Sequence, residues 1–251
     1  TNKVKVKESL NKPMVSLSTY SLYDIAKHIA GDKLELVMIL PFGVGVHNFE
    51  PNPKLMVKIQ KSALVVYSGA GLEPWIKGFS FKHSVINMSK NIKLRILSNH
   101  KNNYDPHYWL DFSNMITATK IMEKAFIKIS PKDKDLFEKN AKSYISMLEK
   151  LDADYKKSLK MCKLHTIIVN HNAFSYMAQR YDFHVESLSG FIPEAQPSAK
   201  NMIKLVKEIQ KKHIKTIFFE DFENSKAIKN IATEAKISID TLQPLGNITA
   251  D

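Results

Sequence analysis

Three of the chain's nine histidines lie in contexts where an imidazole can bind a metal ion. His47 lies in a loop just after the apolar run LELVMIL, and His171 directly follows the apolar run of HTIIVN. His107 lies in the segment DPHYWLD, in a connection between predicted elements. Imidazole nitrogens suit borderline divalent ions, above all Zn²⁺. If the three side chains converge, they predict a nitrogen-rich zinc site.

The neighbours of His107 bear on how its ring is oriented. A metal-bound imidazole usually donates its second nitrogen to an acceptor, and Asp105 and Asp111 flank the histidine. Each of them is therefore a candidate acceptor or a helix cap, while Pro106 restricts the residue before it to an extended backbone. Trp109 is expected to pack beneath the loop. The simpler alternative is that Asp105-Pro106 only begins a helix and that Trp109 belongs to the core.

The other six histidines have simpler explanations. They lie in lysine-containing helices, in a polar loop or at strand entries, where a solvated ring is the ordinary case: His28, His83, His100, His165, His184 and His213.

Strand-like apolar runs alternate with helical segments in two groups, one before about residue 90 and one after residue 160. The run Met14–Ser18 is followed by a helix that should end at Gly31, and a later helix should begin with Asn52 as its N-cap and Pro53 in its first turn. Such alternation predicts an α/β fold with mostly parallel sheets. Because ligands collect at the carboxyl ends of parallel strands, His47 and His171 would face each other across a cleft between two lobes.

A long amphipathic helix is predicted between the two groups, over Ser130–Leu159. Its apolar residues recur at spacings of four and three, at Phe137, Ala141, Tyr144, Leu148, Leu151 and Tyr155. Ser130 and Asp133 resemble a capping box. We interpret the segment as a strut packed along both lobes, and a coiled-coil partner helix is the alternative. The predicted division is a first lobe over 13–130, a connecting helix over 131–160 and a second lobe over 161–251.

The formal net charge is +12, which raises the question of nucleic-acid binding. The charge comes almost entirely from lysine, since Arg95 and Arg180 are the only arginines. Base readout and bidentate phosphate recognition both rely on arginine, so we expect a solvated lysine surface and no nucleic-acid partner; an anionic membrane or partner surface is the alternative. The single cysteine, Cys162, excludes an internal disulfide and a cysteine-rich metal site.

No run is long and apolar enough to predict a membrane span, and no secretory signal is visible. The first residues, Thr1–Asn11, are polar and rich in lysine. The chain is therefore expected either to stay in the cell or to be a mature form whose signal has been removed.

Several long motifs resemble one family. HNFEPNPKLMVKIQKSALVVYSGAGLEPW, DPHYWLD, HNAFSYMAQRY, SGFIPEAQPSAKNMIKLVKEI and TLQPLG are similar to the metal-binding solute-binding proteins of ABC transporters, most closely to the zinc-uptake members. The resemblance extends from Met14 to Gly246. It implies two (β/α)4 lobes joined by one long rigid helix. It also implies a monomeric extracytoplasmic receptor, periplasmic or lipid-anchored, that captures one Zn²⁺ per chain in the interlobe cleft and delivers it to a membrane permease.

The resemblance assigns the ligands residue by residue. His47 matches the histidine of H-x-x-E-P, His107 that of D-P-H-x-W, and His171 the third ligand position. Zinc-type members have histidine at that third position, whereas manganese-type members usually have glutamate, so His171 favours zinc. Glu50, in the first motif, is a candidate for supporting the site from behind the ligands.

Two departures from the family pattern affect the predicted site. Many members have an aspartate in L-D-P-L-G that serves as a fourth ligand, and this chain has Gln243 there. We expect water, or else Gln243 or a nearby carboxylate, in the fourth position. The loop from Phe79 to Tyr104 carries only His83 and His100 and lacks the histidine- and acid-rich tract of many members, so no second ion is predicted in it.

Three other functions are weighed against a zinc receptor. An adhesin-like surface role is associated with some members of the resembled family. A manganese or iron receptor of the same family would share the architecture. A three-histidine zinc enzyme would also leave one coordination position open. The chain has no H-E-x-x-H helix, however, and no glutamate is clearly placed as a general base.

Overall fold

The structure is a computed structural model that describes residues 12–47, 49–97, 103–189, 198–220 and 226–248. The N-terminal segment 1–11, His100 and residues 190–197 of a quoted motif lie outside the described residues. The first parallel sheet has the order β2-β1-β3-β4, with β1 Met14–Leu17, β2 Glu35–Met38, β3 Leu64–Tyr67 and β4 Ser84–Asn87. The second has the order β6-β5-β7-β8, with β5 Thr166–Val169, β6 His184–Ser187, β7 Thr216–Phe219 and β8 Ser238–Thr241. The predicted two-lobed α/β fold is confirmed.

Seven α-helices connect and cover the sheets in the described part of the chain: α1 Tyr20–Ala30, α2 Pro53–Gln60, α3 Phe112–Ile129, α4 Lys134–Lys160, α5 Ser175–Tyr181, α6 Ala199–Lys211 and α7 Lys226–Ala235. We call the first sheet with α1 to α3 the first lobe and the second sheet with α5 to α7 the second lobe. Two predicted helix ends are confirmed. The Asn52 side chain accepts from Leu55 N at 2.9 Å before Pro53, and Gly31 follows α1 with a φ of 55°, which glycine adopts readily. Among the described residues, no helix is long and apolar enough to cross a membrane.

The predicted long helix is confirmed as α4, and at 1.5 Å per residue its 27 residues extend about 40 Å. Its start differs from the prediction. A separate 3-10 turn, Pro131–Asp133, precedes it, and the Ser130 hydroxyl donates to the Asp133 carboxylate at 2.6 Å. The two side chains therefore bond to each other and do not cap backbone N–H groups as in a capping box.

The apolar seam of α4 is buried only over its first part. Phe137, Ala141, Tyr144 and Leu148 pack in the core, whereas Leu151 and Tyr155 are 38% and 41% exposed. The buried first part of the helix contacts α1, where the Tyr144 hydroxyl donates to Asp24 at 2.8 Å, and α3, where Phe137 packs against Phe126. Tyr155 contacts the rings of Phe112 in α3 and Tyr181 in α5, so the end of α4 lies against elements of both lobes.

Helix α3 has no counterpart among the predicted elements. It packs against both α4 and α1 and buries Met115, Ala118, Met122 and Phe126. The apolar cluster that contains these residues continues into the second lobe through Phe174. The second lobe also has an apolar cluster of its own, which includes Ile168, Leu205 and Ile217.

Candidate metal centre

The three predicted histidines meet between the lobes. The Nε2 atom of His107 lies 3.4 Å from Nε2 of His47 and 3.4 Å from Nε2 of His171. His107 and His171 are buried and His47 is partly exposed. His47 comes from the connection after β2, His107 from the connection before α3, and His171 from the connection after β5. His47 and His171 thus meet across the lobes, as expected from the carboxyl-end rule, and His107 joins them from a connection that does not directly follow a strand.

Two of the imidazoles are oriented by buried carboxylates. Nδ1 of His107 lies 2.8 Å from Oδ1 of Asp105, and Nδ1 of His171 contacts Oε1 of Glu220. A carboxylate only accepts hydrogen bonds, so it favours the tautomer with a proton on Nδ1. Nε2 of both rings then carries a lone pair that faces the centre of the cluster. Among the residues that the structure describes, His47 has no carboxylate at its ring.

The electrostatics of the cluster keep the imidazoles of His47 and His107 neutral. Burial, followed by the charges of His107 and His171, lowers the pKa of His47 to about 3. Burial also lowers the pKa of His107, although the Asp105 carboxylate opposes this shift. A neutral imidazole is the form that binds a metal, so the cluster presents nitrogen lone pairs at neutral pH.

The spacing of these nitrogens fits a tetrahedral ion. For Zn–N bonds of roughly 2.0–2.1 Å at tetrahedral angles, two nitrogen ligands lie roughly 3.3–3.4 Å apart. The two measured Nε2 separations of 3.4 Å agree with this value. Lone pairs that face each other repel unless a cation lies between them, and the three histidines are the group that could hold a metal ion within the described residues.

The cavity at the cluster is small. Its volume is about 30 Å³, and its walls include the three histidines, Trp109, Glu220 and Gln243. Sites for organic ligands are usually roughly 300–1,000 Å³. The cavity therefore has room for an ion with a water-sized ligand and is much smaller than a usual site for an organic ligand.

The turn that carries His107 is anchored on both sides. Tyr108 is fully buried, and its hydroxyl lies 2.9 Å from Oγ of Ser68 at the end of β3. Trp109 donates from Nε1 to the carbonyl of Pro244 at 2.6 Å, and its ring packs edge-on to the His107 ring. The predicted packing of Trp109 beneath the histidine is thus observed.

The segment Pro244–Ile248, which we call the C-terminal clasp, also holds the loop of His47. Nδ2 of Asn247 donates to the carbonyls of Pro41 and Val44 at 2.6 and 2.7 Å. The clasp follows β8 of the second lobe, yet it bonds to loops of the first lobe. It therefore fixes His47 and, through Trp109, His107 relative to each other.

Two predicted supporting residues lie elsewhere. Asp111 caps α3, because its side chain accepts from Ser113 N at 2.9 Å, and it lies 3.2 Å from Nη1 of Arg180. Of the two roles considered for Asp111, it has the capping one, and Asp105 alone contacts the imidazole. Glu50 is exposed and does not line the cavity, because the chain turns outward before α2.

Glu220 is the functional candidate that sequence reasoning missed. It directly follows β7, at the same edge of its sheet as His171, and is only 7% exposed. The carboxyl-end rule that selected the histidines applies to it equally. The rule alone did not identify Glu220 as a site residue, because an acidic residue after a strand is commonly solvated.

The fold and the cluster define a two-lobed α/β protein with a candidate metal centre between its lobes. Comparison with known families identifies the family: residues 15–251 match the family described as the periplasmic component A of the zinc-uptake complex. The chain belongs to this family.

Individual relatives agree with this placement. The zinc-binding protein AdcA of Streptococcus pyogenes serotype M3 is 31% identical over 95% of this chain and 51% of its own length. The high-affinity zinc uptake system protein ZnuA of Bacillus subtilis is 30% identical over 96% of this chain and 81% of its own length. The chain thus spans about half the length of the AdcA relatives and most of the ZnuA relative.

The fold also matches a solved structure closely. The laminin-binding protein Lmb of Streptococcus agalactiae, described as a bifunctional protein with adhesin and metal-transporting activity, superposes with a TM-score of 0.88. The match covers 96% of this chain and 92% of that protein, at 30% identity.

Proposed function

We propose that this protein is an extracytoplasmic Zn²⁺ receptor that captures the ion between its lobes and delivers it to the membrane permease of an ABC transporter. The observation that carries the proposal is the convergence of three imidazoles, in which Nε2 of His107 lies 3.4 Å from Nε2 of both His47 and His171. The names of the AdcA and ZnuA relatives support zinc as the cargo.

We assign His47, His107 and His171 as the ligands and one Zn²⁺ to each chain. The carboxylates of Asp105 and Glu220 orient two of the rings. The fourth position falls to water or to Gln243, which lines the cavity. A neutral nitrogen-rich set suits zinc better than the harder manganese ion, which prefers oxygen ligands.

In this proposal the protein binds and releases the ion and catalyses no reaction. The small cavity supports transport over hydrolysis, since zinc-catalysed hydrolysis of an organic substrate needs space for that substrate beside the ion. We further propose a monomer without a nucleic-acid partner, periplasmic or lipid-anchored, divided into lobes at residues 13–130 and 161–251 with the connecting helix between them.

The test is a titration of chelator-stripped protein with Zn²⁺ against a competing indicator, repeated with Mn²⁺. One tight zinc site per chain, weak manganese binding and a zinc-dependent rise in melting temperature are expected. Tighter binding of manganese than of zinc would favour the manganese receptor, and binding of neither ion would refute the proposal. Deletion of the gene should raise the zinc requirement of the source organism, and an unchanged requirement would count against a transport role.

A further inference from the structure

The carboxylate of Asp105 is held by both lobes. Its Oδ1 accepts from the backbone N of His107 at 3.0 Å and lies 2.8 Å from the ring Nδ1. Its Oδ2 accepts from the hydroxyl of Ser175, the first residue of α5 in the second lobe. All three residues are buried, and Asp105 is 0% exposed. Both carboxylate oxygens are therefore engaged, one on the ligand and one on the opposite lobe.

The residue after Ser175 holds the same segment through its backbone. The hydroxyl of Tyr176 donates to the carbonyl of Asp105 at 2.8 Å and accepts from the backbone N of Arg95 at 2.9 Å. Asp105 N in turn donates to Arg95 O at 2.9 Å. Tyr176 therefore bonds to both of the paired backbone segments, at Arg95 and at Asp105, that lie before the turn carrying His107.

Ser175 and Tyr176 follow His171 closely and form the start of α5. We infer that they are positioning residues for His107, acting through Asp105, so that the lobe that supplies His171 also orients a ligand of the other lobe. The inference rests on the proposed zinc-binding function. A ligand whose ring is fixed by outer contacts binds without first losing rotational freedom, which is how such contacts raise affinity.

This arrangement couples zinc affinity to the packing of the lobes. A movement that separates α5 from the Asp105 segment withdraws His171 and, in the same step, frees the Asp105 carboxylate and the His107 ring. Opening then weakens the site more than the loss of one ligand alone. Such coupling helps a receptor to release a tightly bound ion to its permease.

The test compares Ser175→Ala and Tyr176→Phe with Ser130→Ala. Ser130 is a matched control, because it is a buried serine, 4% exposed, whose hydroxyl also donates to an aspartate carboxylate, far from the cluster. Zinc affinity is measured by competition, site geometry by the absorption spectrum of the Co²⁺-loaded protein, and the His107 tautomer by ring ¹⁵N shifts of the metal-free protein. Melting temperatures of the metal-free variants report general destabilisation.

We expect Ser175→Ala and Tyr176→Phe to weaken zinc binding by about 10-fold, within the usual range for removal of an outer contact. The Co²⁺ spectrum should change, and the His107 shifts should move from a single tautomer toward a mixture, while Ser130→Ala matches the wild type in all three. If both variants retain the affinity, spectrum and ring shifts of Ser130→Ala while the wild type binds zinc tightly, the inference is overturned and the proposed function stands. If the wild type binds no zinc, the proposed function fails, and the inference fails with it.

Discussion

The Nε2 atoms of His107 and His171 lie 3.4 Å apart, although the two residues come from different lobes and are 64 positions apart in the chain. Neither lobe alone can form this contact. Zinc bound there would join the lobes directly, so each imidazole should matter for binding while having little effect on folding.

Removal of His171 is the simplest test of whether an imidazole of the cluster contributes to zinc binding without contributing to folding. His171→Ala deletes one of three nitrogen ligands and should weaken zinc binding at least about 100-fold, while the urea-unfolding midpoint of the metal-free protein changes little. His165→Ala is the control, because that histidine is exposed and lies away from the cluster. An affinity equal to that of the control would remove His171 from the site.

The carboxylate of Glu220 should matter through the ring that it contacts. Glu220→Gln keeps the size of the side chain but weakens its acceptor toward His171 Nδ1, so zinc affinity should fall about 10- to 100-fold. Glu208→Gln is the matched control, since Glu208 pairs with Lys212 on α6 at 3.4 Å. Equal zinc affinities in the two variants would show that Glu220 does not support the ligand.

Gln243 lines the cavity, so a charge introduced at this position should affect the fourth coordination position. Gln243→Asp introduces an anionic oxygen and should tighten zinc binding relative to Gln243→Asn, which has the same shape without the charge. Competition titrations of both variants measure the difference. Indistinguishable affinities would mean that residue 243 does not reach the ion and that water fills the fourth place.

The lowered pKa of His47 predicts how stability depends on pH. This pKa is about 3 in the folded protein and 6.5 in the unfolded chain, so the unfolded state binds more protons between these values. The unfolding free energy of the metal-free protein should therefore fall as the pH falls below about 6.5, by about 1 kcal/mol between about pH 7 and about pH 5.5 from this residue. Urea titrations of the wild type and of His47→Gln at both pH values measure this loss of unfolding free energy. The variant should lose less stability, and equal losses would contradict the assignment.

The C-terminal clasp should affect both the site and the fold. Asn247→Ala leaves the carbonyls of Pro41 and Val44 without their donor, which should cost about 1–3 kcal/mol of unfolding free energy and weaken zinc binding by loosening the loop of His47. Asn140→Ala is the control, because its amide donates to the carbonyl of Ile29 at 3.1 Å, away from the cluster. If both variants bind zinc equally well, the clasp contributes to stability alone.

Much of the fold could be predicted from local patterns. The alternation of strands and helices led to two parallel sheets, and local stop and start signals at Gly31 and Asn52 set two helix ends. The meeting of His47 and His171 could be predicted because each follows a strand and ligands collect at the carboxyl ends of parallel strands, whereas the convergence of His107 with them was implied by the family resemblance. These features depend on short stretches of sequence or on a general rule of topology.

The remaining features depend on contacts between distant parts of the chain. The bond from Asn247 to Pro41 joins residues 206 positions apart, and the hydroxyl of Ser175 reaches Asp105 across 70 positions. The periodicity of α4 predicts that Leu148 and Leu151 are both buried, yet Leu148 is buried and Leu151 is 38% exposed. Burial there depends on which distant elements pack against the helix. Local sequence also cannot distinguish Asp105, which turns toward the imidazole, from Asp111, which caps a helix.

The most direct measurement is X-ray absorption at the zinc edge of the zinc-loaded protein. It counts the imidazoles around the ion and gives their bond lengths. The account predicts three imidazole nitrogens at roughly 2.0–2.1 Å and one oxygen ligand, with one imidazole fewer in His171→Ala. A wild-type spectrum with fewer than three imidazoles, or one that His171→Ala leaves unchanged, would contradict the claim that these three histidines bind zinc.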